Sequence, residues 1–201
     1  VMREAEKRLS PLFTEHSAYM TMNEALFARI KALYDDKANL GLTREQEMVL
    51  DKYYRMFVKG GALLDADKKA QLMEIEKQLS LASIEFGENA LAETNAFELE
   101  LPQDDLLGVP SQVREAAQEY AKSIDKKGKY IFTLQKPSML SLLTYAQNRE
   151  VRENIYKAYI ARANNGGEND NNDVIAEMVS LRYEKAKLLG YDSYAHYVIS
   201  D

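Results

Sequence analysis

The sequence contains no cysteine, which excludes disulfides, thiolate nucleophiles and cysteine-ligated zinc. A chain without cysteine fits a reducing compartment, so we predict a cytoplasmic location. If the chain is part of a longer protein, a targeting segment could lie upstream of Val1, so a periplasmic or exported location is the alternative. No apolar run approaches the roughly 20 residues that a membrane-spanning helix needs. No segment has the basic start and apolar centre of a signal peptide, so no membrane partner is predicted.

Histidine is scarce as well, with only His16 and His196. A zinc hydrolase site needs two histidines four residues apart with a glutamate beside the first, in the pattern HExxH. His16 is followed by Ser-Ala-Tyr-Met and His196 by Tyr-Val-Ile-Ser, so neither histidine begins that pattern. We therefore predict two surface or rim histidines, and we assign no metal ligand in this chain.

Two acidic stretches resemble calcium-binding loops but lack essential positions. The run at 169–173, Asn-Asp-Asn-Asn-Asp, has neither the glycine at the sixth position nor the glutamate at the twelfth that an EF-hand requires. The shorter run Asp65-Ala66-Asp67 fails the same test. We interpret 169–173 as a polar connector in which Asn172 or Asp173 caps the next helix.

Motifs for phosphate binding and acyl transfer are also missing. The glycine pairs at 60–61 and 166–167 form neither GxGxxG nor a P-loop. No serine has the setting of a nucleophile elbow. Glu98 and Glu100 alternate with apolar residues, which indicates the solvated face of a strand rather than a catalytic dyad. We therefore assign no catalytic residue, and the substrate-binding residues stay unassigned.

Tyrosine is the unusual part of the composition, with 13 residues. Four of them lie close together near the end of the sequence: Tyr183, Tyr191, Tyr194 and Tyr197. Tyrosine packs between helices, and it also lines peptide- and sugar-binding clefts because it combines apolar area with a hydroxyl. Helix packing is the favoured interpretation for most of them, and a binding cleft is the alternative.

The overall composition predicts a protein with a substantial core. Apolar residues make up 46% and charged residues 29% of the chain, which is ordinary for a globular protein. The net charge is −6, which argues against a nucleic-acid partner because phosphate binding needs clustered lysine and arginine. Basic and acidic residues are instead interleaved, as on solvated helix faces.

Apolar residues recur every three to four positions along most of the chain, which predicts a mainly α fold, a multi-helix bundle or array. The period changes to two at about 96–101 and 129–134, and these segments predict a small two-stranded β element. No linker divides the chain convincingly. We predict a single helical region over 1–201, with possible sub-regions 1–95 (helical) and 96–201 (β element plus helices).

The clearest helix by periodicity lies around residues 65–91. Its apolar stripe follows a heptad-like spacing: Leu72, Ile75, Leu79, Ala82 and Phe86. Such a stripe is typical of a helix face buried in the core. A dimer seam along Leu72–Phe86 is the alternative.

The order of residues from Arg149 to Ala195 is specific. It reads RxVRExIYxAYxxRA, then a polar loop with Asp170-Asn171, then IxEMVxLRYEKAKLLGYxSYA. This pattern resembles the family of zinc metallopeptidases that contains oligopeptidase A, thimet oligopeptidase and peptidyl-dipeptidase, and most of all the bacterial peptidyl-dipeptidase branch. Upstream segments agree with it: Asn23–Phe27, Tyr54–Val58, Gly61-Ala62, Phe86 with Asn89, and the turn at Leu106–Pro110.

The resemblance implies that the chain is the non-catalytic N-terminal half of a longer peptidase. In that family the HExxH zinc ligands and a further glutamate ligand lie downstream, so zinc would belong to the intact parent enzyme and no residue here is carried over. The chain would form part of a channel wall, and it would be inactive alone. Its partners would be short peptide substrates and the missing C-terminal catalytic half. The resemblance leaves open whether the parent releases dipeptides from the C-terminus or cuts oligopeptides internally.

The alternative to a peptidase part is an autonomous helical scaffold. Such a protein would bind a partner helix or peptide through its tyrosine- and methionine-bearing faces. This alternative predicts a chain that buries its apolar stripes unaided.

Overall fold

The computed structural model describes residues 2–200, with side chains from residue 4 onward. The chain is 72% helical and contains a two-stranded antiparallel sheet, which confirms the predicted mainly α class with a small β element. The helices described are α1 Met2–Thr21, α2 Glu24–Asp35, α3 Arg44–Lys59, α4 Ala66–Ala96, α5 Ser111–Ser123, α6 Lys136–Tyr145, α7 Arg149–Ile160, α8 Asn172–Leu188 and α9 Tyr194–Ile199. Short 3₁₀ helices occur at Lys37–Asn39 and Gln103–Leu106. Within residues 2–200 no helix combines the length and the apolar character needed to cross a bilayer.

The chain divides into two compact units. The first comprises the described residues of Val1–Glu85 and Val174–Asp201, and the second comprises Phe86–Asp173. The first unit contains α1 to α3, most of α4, most of α8, and α9. The second contains the end of α4, both strands, and α5 to α7. The sequence-based division into 1–95 and 96–201 stays a prediction.

The β element consists of β1, Leu99–Leu101, and β2, Tyr130–Phe132, paired antiparallel. Leu99 faces Phe132 and Leu101 faces Tyr130, so the predicted pairing is confirmed. Both strands are shorter than the periodicity indicated. Ala96 still belongs to α4, and the backbone N–H of Thr133 donates to the Ser138 hydroxyl at 3.0 Å instead of continuing the ladder.

The outer face of β1 is solvated as predicted. Glu98 and Glu100 are exposed, and each carboxylate forms an ion pair with a nearby lysine. The Lys129 ammonium lies 2.6 Å from the Glu100 carboxylate, and this hydrogen bond lowers the pKa of Glu100. Both carboxylates therefore serve surface ion pairs, which contribute little to stability when exposed.

The second unit has one hydrophobic core that the strands and helices build together. Its largest fully buried side chains include Phe132 on β2, Leu142 on α6 and Ile155 on α7. The whole buried cluster is Leu101, Leu106, Val109, Ala117, Phe132, Leu134, Met139, Leu142, Ala146, Val151 and Ile155. The small sheet is therefore part of a packed core, because its inward face meets three helices.

The first unit has an aromatic core between α2 and α3. Phe27 stacks on Phe57 with ring centroids 6.0 Å apart and on Tyr54 at 5.8 Å. The sequence Thr43-Arg-Glu-Gln46 has the form of a capping box, and the structure contains that capping box at the start of α3. The Thr43 hydroxyl accepts from the Gln46 N–H at 3.3 Å, and the Gln46 side chain accepts from the Thr43 N–H at 2.9 Å. These bonds satisfy backbone donors that a helix start leaves unpaired.

Three helix boundaries differ from the sequence-based expectation. The apolar residues from Tyr19 to Leu33 are spaced three and four apart, which predicts that Tyr19 lies on the second helix, but α1 continues to Thr21. The side chain of Asn23 then caps α2 by accepting from the Leu26 N–H at 2.9 Å. Serine is a favoured helix cap, which predicts a cap at Ser111. This prediction is wrong, because Pro110 occupies the cap position of α5 and makes no side-chain cap bond. The expected cap at Asn172 or Asp173 is wrong as well, since α8 already begins at Asn172.

The apolar stripe of α4 is buried at two of its five positions and partly buried at two others. Leu72 is 1% exposed and Ala82 is 4% exposed, which confirms the core interpretation for this part of the stripe. Ile75 and Leu79 between them are partly buried. The stripe ends at Phe86, which is 41% exposed. The dimer seam stays an untested alternative.

Gly87 lies inside α4 without a steric reason for being glycine. A Cβ built at this position meets no atom within 4 Å, and the backbone is helical. Glycine inside a helix costs about 0.5–1 kcal/mol relative to alanine. We expect Gly87→Ala to raise the unfolding free energy by about that amount. Urea denaturation followed by circular dichroism measures it, and a lower stability of the variant would contradict the expectation.

Candidate peptide-binding groove

The first unit contains an open groove of about 1190 Å³. One wall is a face of α1 and the other is a face of α3, and one end is closed by residues of α4 and α9. We call this cavity the α1–α3 groove. Its lining residues are Ser10, Phe13, Thr14, Ser17, Ala18, Thr21, Met22, Glu45, Met48, Val49, Asp51, Lys52, Arg55, Met56, Lys59, Gly60, Leu72, Glu76 and Tyr197.

The α1 wall carries small hydroxyl side chains at helical spacing. Thr14 donates to the Ser10 carbonyl at 3.0 Å, and Thr21 donates to the Ser17 carbonyl at 3.0 Å. The Ser10 hydroxyl also lies 2.8 Å from that of Ser80 on α4. Because these hydroxyl groups already form hydrogen bonds within the protein, a ligand does not need to supply hydrogen-bonding partners for them. Phe13 rises from the same face and is 70% exposed.

The α3 wall combines apolar and cationic side chains. Met48, Val49 and Met56 are 61%, 54% and 44% exposed. Lys52 and Arg55 lie between them in sequence and are also exposed. Residues three, four and seven apart share one face of a helix, so these side chains form one continuous wall. Methionine adapts its shape to different apolar partners, which suits a binding surface.

The closed end of the groove contains a largely buried ion pair. The ammonium of Lys185 on α8 lies 2.6 Å from a carboxylate oxygen of Glu76 on α4. The Lys185 side chain is only 10% exposed, whereas that of Glu76 is 32% exposed. The ring of Tyr197 covers the same ammonium at 4.8 Å from its centroid. Burial lowers the pKa of Lys185, but the hydrogen bond and charge of Glu76 outweigh burial, so the pKa is raised.

The sequence analysis missed the role of Lys185, although a signal was present. Val174, Leu181 and Lys185 are all buried and lie seven and four residues apart on α8. Lys185 therefore occupies the apolar face of an amphipathic helix, where a lysine needs a partner. Helical spacing thus predicts a buried ammonium. It does not identify Glu76, which lies on a distant helix.

Three of the four C-terminal tyrosines pack against each other. Tyr191 and Tyr194 lie 5.4 and 5.6 Å from Tyr197, measured between ring centroids. Tyr194 and Tyr197 also lie against Arg182 and Lys185 of α8, at 5.4 and 4.8 Å from the ring centroids, which confirms helix packing for these two residues. Tyr183 stands apart and is 55% exposed. Tyr197 is also a lining residue of the α1–α3 groove, so the alternative of a cleft applies to it in addition.

Neither histidine belongs to a metal-binding cluster in the described structure. His16 on α1 is exposed, as predicted for a surface histidine. His196 on α9 is exposed too, and its Nδ1 lies 3.0 Å from the Ser193 hydroxyl. Within residues 4–200 no three His, Asp or Glu side chains converge in a way that would hold a metal ion. This donor set does not fit a zinc centre, which needs three or four such ligands.

The polar run at 169–173 is used inside its own loop. The Asp170 carboxylate accepts from the backbone N–H groups of Gly166 at 2.6 Å and Asn172 at 2.8 Å. Backbone hydrogen bonds of this kind favour the charged form and lower the pKa of Asp170. The carboxylate therefore organises a polar connector, as predicted for this segment.

Residues from two separate parts of the resemblance meet at Asn171. Its side chain is 2% exposed, accepts from Asn89 at 2.9 Å and donates to the Phe86 carbonyl at 3.0 Å. The backbone N–H of Asn171 also donates to the Ala163 carbonyl at 2.8 Å. Both polar atoms of this buried amide have a partner, so the three motif positions Phe86, Asn89 and Asn171 serve structure.

Two arginines of the resemblance pattern, Arg152 and Arg162, are structural as well. Arg152 donates to the carbonyls of Ala146 at 2.6 Å and Gln147 at 3.0 Å. Arg162 lies over the ring of Tyr159 at 3.8 Å and donates to the Thr94 hydroxyl at 3.0 Å. The residue order that carries the resemblance thus holds loops and helix ends in place within the second unit.

Ala163 takes an unusual backbone conformation in the same motif. Its φ is 55°, which an alanine adopts only at a cost of about 1–2 kcal/mol. Its N–H donates to the Glu93 carboxylate at 2.7 Å, and the Asn165 amide donates to the same oxygen at 2.9 Å. These charge-assisted bonds offset the strain and bind the connector after α7 to the end of α4.

Comparison with known proteins shows which protein family contains a similar residue pattern. Residues 142–201 match peptidase family M3. The match covers α7, α8 and α9, and therefore includes the motif whose contacts are described above. Similarity to curated members of the oligopeptidase group extends over nearly the whole chain.

Oligopeptidase A of Salmonella typhimurium is 33% identical over 200 residues, which cover 97% of this chain and 29% of that protein. Oligopeptidase A of Haemophilus influenzae is 34% identical over 198 residues, covering 96% of this chain and 29% of that protein. Dipeptidyl carboxypeptidase of Salmonella typhimurium is 28% identical over 202 residues, covering 97% of this chain and 29% of that protein. The chain thus spans less than a third of the length of these relatives.

The identities correct one sequence-based expectation. The peptidyl-dipeptidase branch was expected to be the most similar, but dipeptidyl carboxypeptidases reach 26–28% identity whereas bacterial oligopeptidase A sequences reach 33–34%. The preference for the peptidyl-dipeptidase branch was therefore wrong. The resemblance to the wider family of peptidases is confirmed.

Proposed function

We propose that this chain is a non-catalytic, channel-wall part of an oligopeptidase that hydrolyses short peptides. The observation that carries the proposal is the similarity to oligopeptidase A over 96–97% of the chain. The match to peptidase family M3 over residues 142–201 supports the same conclusion. In this proposal the parent enzyme is zinc-dependent and its partners are short peptides.

The zinc of the parent enzyme would be held by residues outside this chain. The described side chains do not fit a zinc centre, because the two histidines are exposed and have no converging carboxylates. The chain would contribute rigid walls rather than reacting groups. The motif residues around Asn171 and Arg162 would support such a wall by fixing the connector between α7 and α8.

The location and the remaining partners follow from composition. We place the parent protein in the cytoplasm because the absence of cysteine fits a reducing compartment, with an exported parent as the alternative. The net charge of −6 supports peptides rather than nucleic acids as partners. The catalytic half of the parent would be the protein partner of this chain.

A peptidase assay tests the proposal. The 201-residue chain and the product of its parent reading frame are each incubated with a quenched fluorescent peptide and Zn²⁺. We expect hydrolysis by the parent product, loss of hydrolysis with a chelator, and no turnover by the 201-residue chain. Zinc-dependent turnover by the 201 residues would overturn the claim that the reacting groups lie elsewhere. A parent product without peptidase activity would overturn the proposed function itself.

An autonomous peptide-binding scaffold is the second candidate. The methionines on the α3 wall of the α1–α3 groove favour it, because methionine adapts to different apolar partners. Their exposure counts against it, because a scaffold that buries its apolar stripes unaided leaves no such patch, whereas one part of a larger protein does. A parent reading frame without HExxH, together with a chain that is folded and binds peptides alone, would favour this candidate over a peptidase.

A further inference from the structure

Cations line the α3 wall of the α1–α3 groove. Lys52 and Arg55 are three residues apart, so they project from neighbouring positions on one helix face. Both are exposed. They lie beside Val49 and Met56, which are 54% and 44% exposed. The wall thus offers positive charge and apolar surface within the same two helical turns.

The carboxylates of the groove do not neutralise this charge. Asp51 is bound by Lys37 at 2.7 Å, and Glu76 is bound by Lys185 at 2.6 Å. Neither of these lysines lines the groove. Lys52 makes no ion pair with another residue of the described chain. The α3 wall therefore has positive charge in excess, although the protein as a whole carries −6.

Glu45 is the remaining carboxylate that lines the groove, and its charged form is stabilised by neighbouring hydrogen-bond donors. It lies in the first turn of α3, where its own backbone N–H and the Thr43 hydroxyl hydrogen-bond to it and lower its pKa. An acidic group in the first turn of a helix is favoured by the helix dipole. It lies about two turns before Lys52, since a turn takes roughly 3.6 residues.

We propose that the α1–α3 groove binds a peptide segment that is amphipathic and acidic. Its apolar side chains would pack on Phe13, Met48 and Met56, and a carboxylate would bind the ammonium of Lys52 and the guanidinium of Arg55. Arginine suits this role because its planar group binds a carboxylate through two parallel hydrogen bonds. The methionines would adapt to different apolar side chains. Binding of this kind needs no hydrolysis, so the inference stands apart from the proposed function.

Matched peptides test the proposal by fluorescence anisotropy with the complete 201-residue chain. The first peptide combines leucine and glutamate in an amphipathic pattern. The second replaces each glutamate with lysine, and the third replaces each leucine with serine. We expect the first to bind at least tenfold more tightly than the others, and its affinity to fall with added salt because screening weakens exposed charge pairs. Equal affinity for the first two peptides would overturn the proposal.

Two charge-reversal variants separate a local contact from a change in net charge. Lys52→Glu changes a residue that lines the α1–α3 groove. Lys77→Glu makes the same charge change at an exposed position on α4 that does not line the groove. We expect Lys52→Glu to weaken binding of the acidic peptide by about fivefold or more, and Lys77→Glu to leave it nearly unchanged. Equal effects of the two variants would overturn the proposal.

The apolar part of the proposal has its own variant. Met48→Ser removes a side chain that is 61% exposed, so the fold is expected to tolerate it. We expect it to weaken the leucine–glutamate peptide while leaving the circular dichroism spectrum unchanged. Unchanged binding would overturn the apolar contact. Self-association of the chain that competes with the peptide and is lost in Met48→Ser would identify a second copy as the occupant and overturn the proposal too.

Discussion

Glu76→Gln is expected to lower the unfolding free energy of the first unit by about 3 kcal/mol, because it leaves a buried ammonium without its counter-charge. Lys185 is 10% exposed at its side chain, and Glu76 holds it at 2.6 Å. The Tyr197 ring at 4.8 Å offers only a weak replacement for a full negative charge. Hydrogen exchange of the α8 amides measures the loss locally.

Lys185→Met is the matched control. It removes the buried charge, and methionine fills much of the same volume in an apolar position. Glu76 is 32% exposed, so its carboxylate can be hydrated in this variant. We expect Lys185→Met to lower the unfolding free energy by about 1 kcal/mol. The double variant Glu76→Gln/Lys185→Met should have an unfolding free energy close to that of Lys185→Met alone. Equal costs of the two single variants would show that the ammonium is not effectively buried.

The contribution of the Lys185–Glu76 pair to the unfolding free energy changes with pH in a defined direction. The pKa of Lys185 is raised above its ordinary value of 10.5 in the folded chain. The ion pair therefore contributes its full stabilisation below pH 10.5 and loses it as the pH rises through the folded pKa. The stability difference between the wild type and Glu76→Gln should accordingly shrink above pH 10.5. A difference that grows there would contradict the assigned pair.

Gly108→Ala is expected to destabilise the second unit by about 3 kcal/mol, combining left-handed strain with overpacking. Gly108 has φ of 88°, and a Cβ there would lie 2.4 Å from the Tyr145 carbonyl oxygen and 2.8 Å from Cγ of Gln147. The backbone cannot move away freely, because the Leu107 carbonyl accepts from the Gln147 N–H at 2.8 Å. Urea denaturation measures the loss.

Gly128→Ala separates the two causes. Gly128 has φ of 82°, close to that of Gly108, but a Cβ there meets no atom within 4 Å. We expect it to cost about 1–2 kcal/mol, the price of the left-handed conformation alone. If both variants cost the same, the contact with the Tyr145 carbonyl contributes nothing and the interpretation of the turn is wrong.

Local sequence features predicted much of the fold. The Thr43–Gln46 capping box and the α4 stripe from Leu72 to Ala82 are confirmed, because both depend on residues within a few turns of each other. The two strand segments were also predicted, although each is shorter than the alternation indicated. Errors occurred at helix ends, where a single side chain such as that of Asn23 decides the boundary.

The candidate site was much less predictable. Sequence reasoning considered tyrosine and methionine faces, but it did not bring the α1 and α3 walls together as a groove. It used the resemblance pattern only to identify a family, whereas the structure gives Asn171 and Arg162 specific hydrogen-bond partners. Those partners lie far away in sequence, so the spacing of apolar residues along the chain could not predict these contacts.

The helices, the small sheet, the absence of thiol chemistry and the resemblance to oligopeptidases were all evident before the structure was known. These properties depend on composition and on neighbours along the chain. Only the tertiary structure decided which charges meet. The Lys185–Glu76 and Lys37–Asp51 pairs exist because separate elements place these side chains 2.6 and 2.7 Å apart. These pairs engage two of the carboxylates that line the groove and so leave positive charge in excess at Lys52 and Arg55. Electrostatic energy depends on that distance and on burial, and neither is a local property of the sequence.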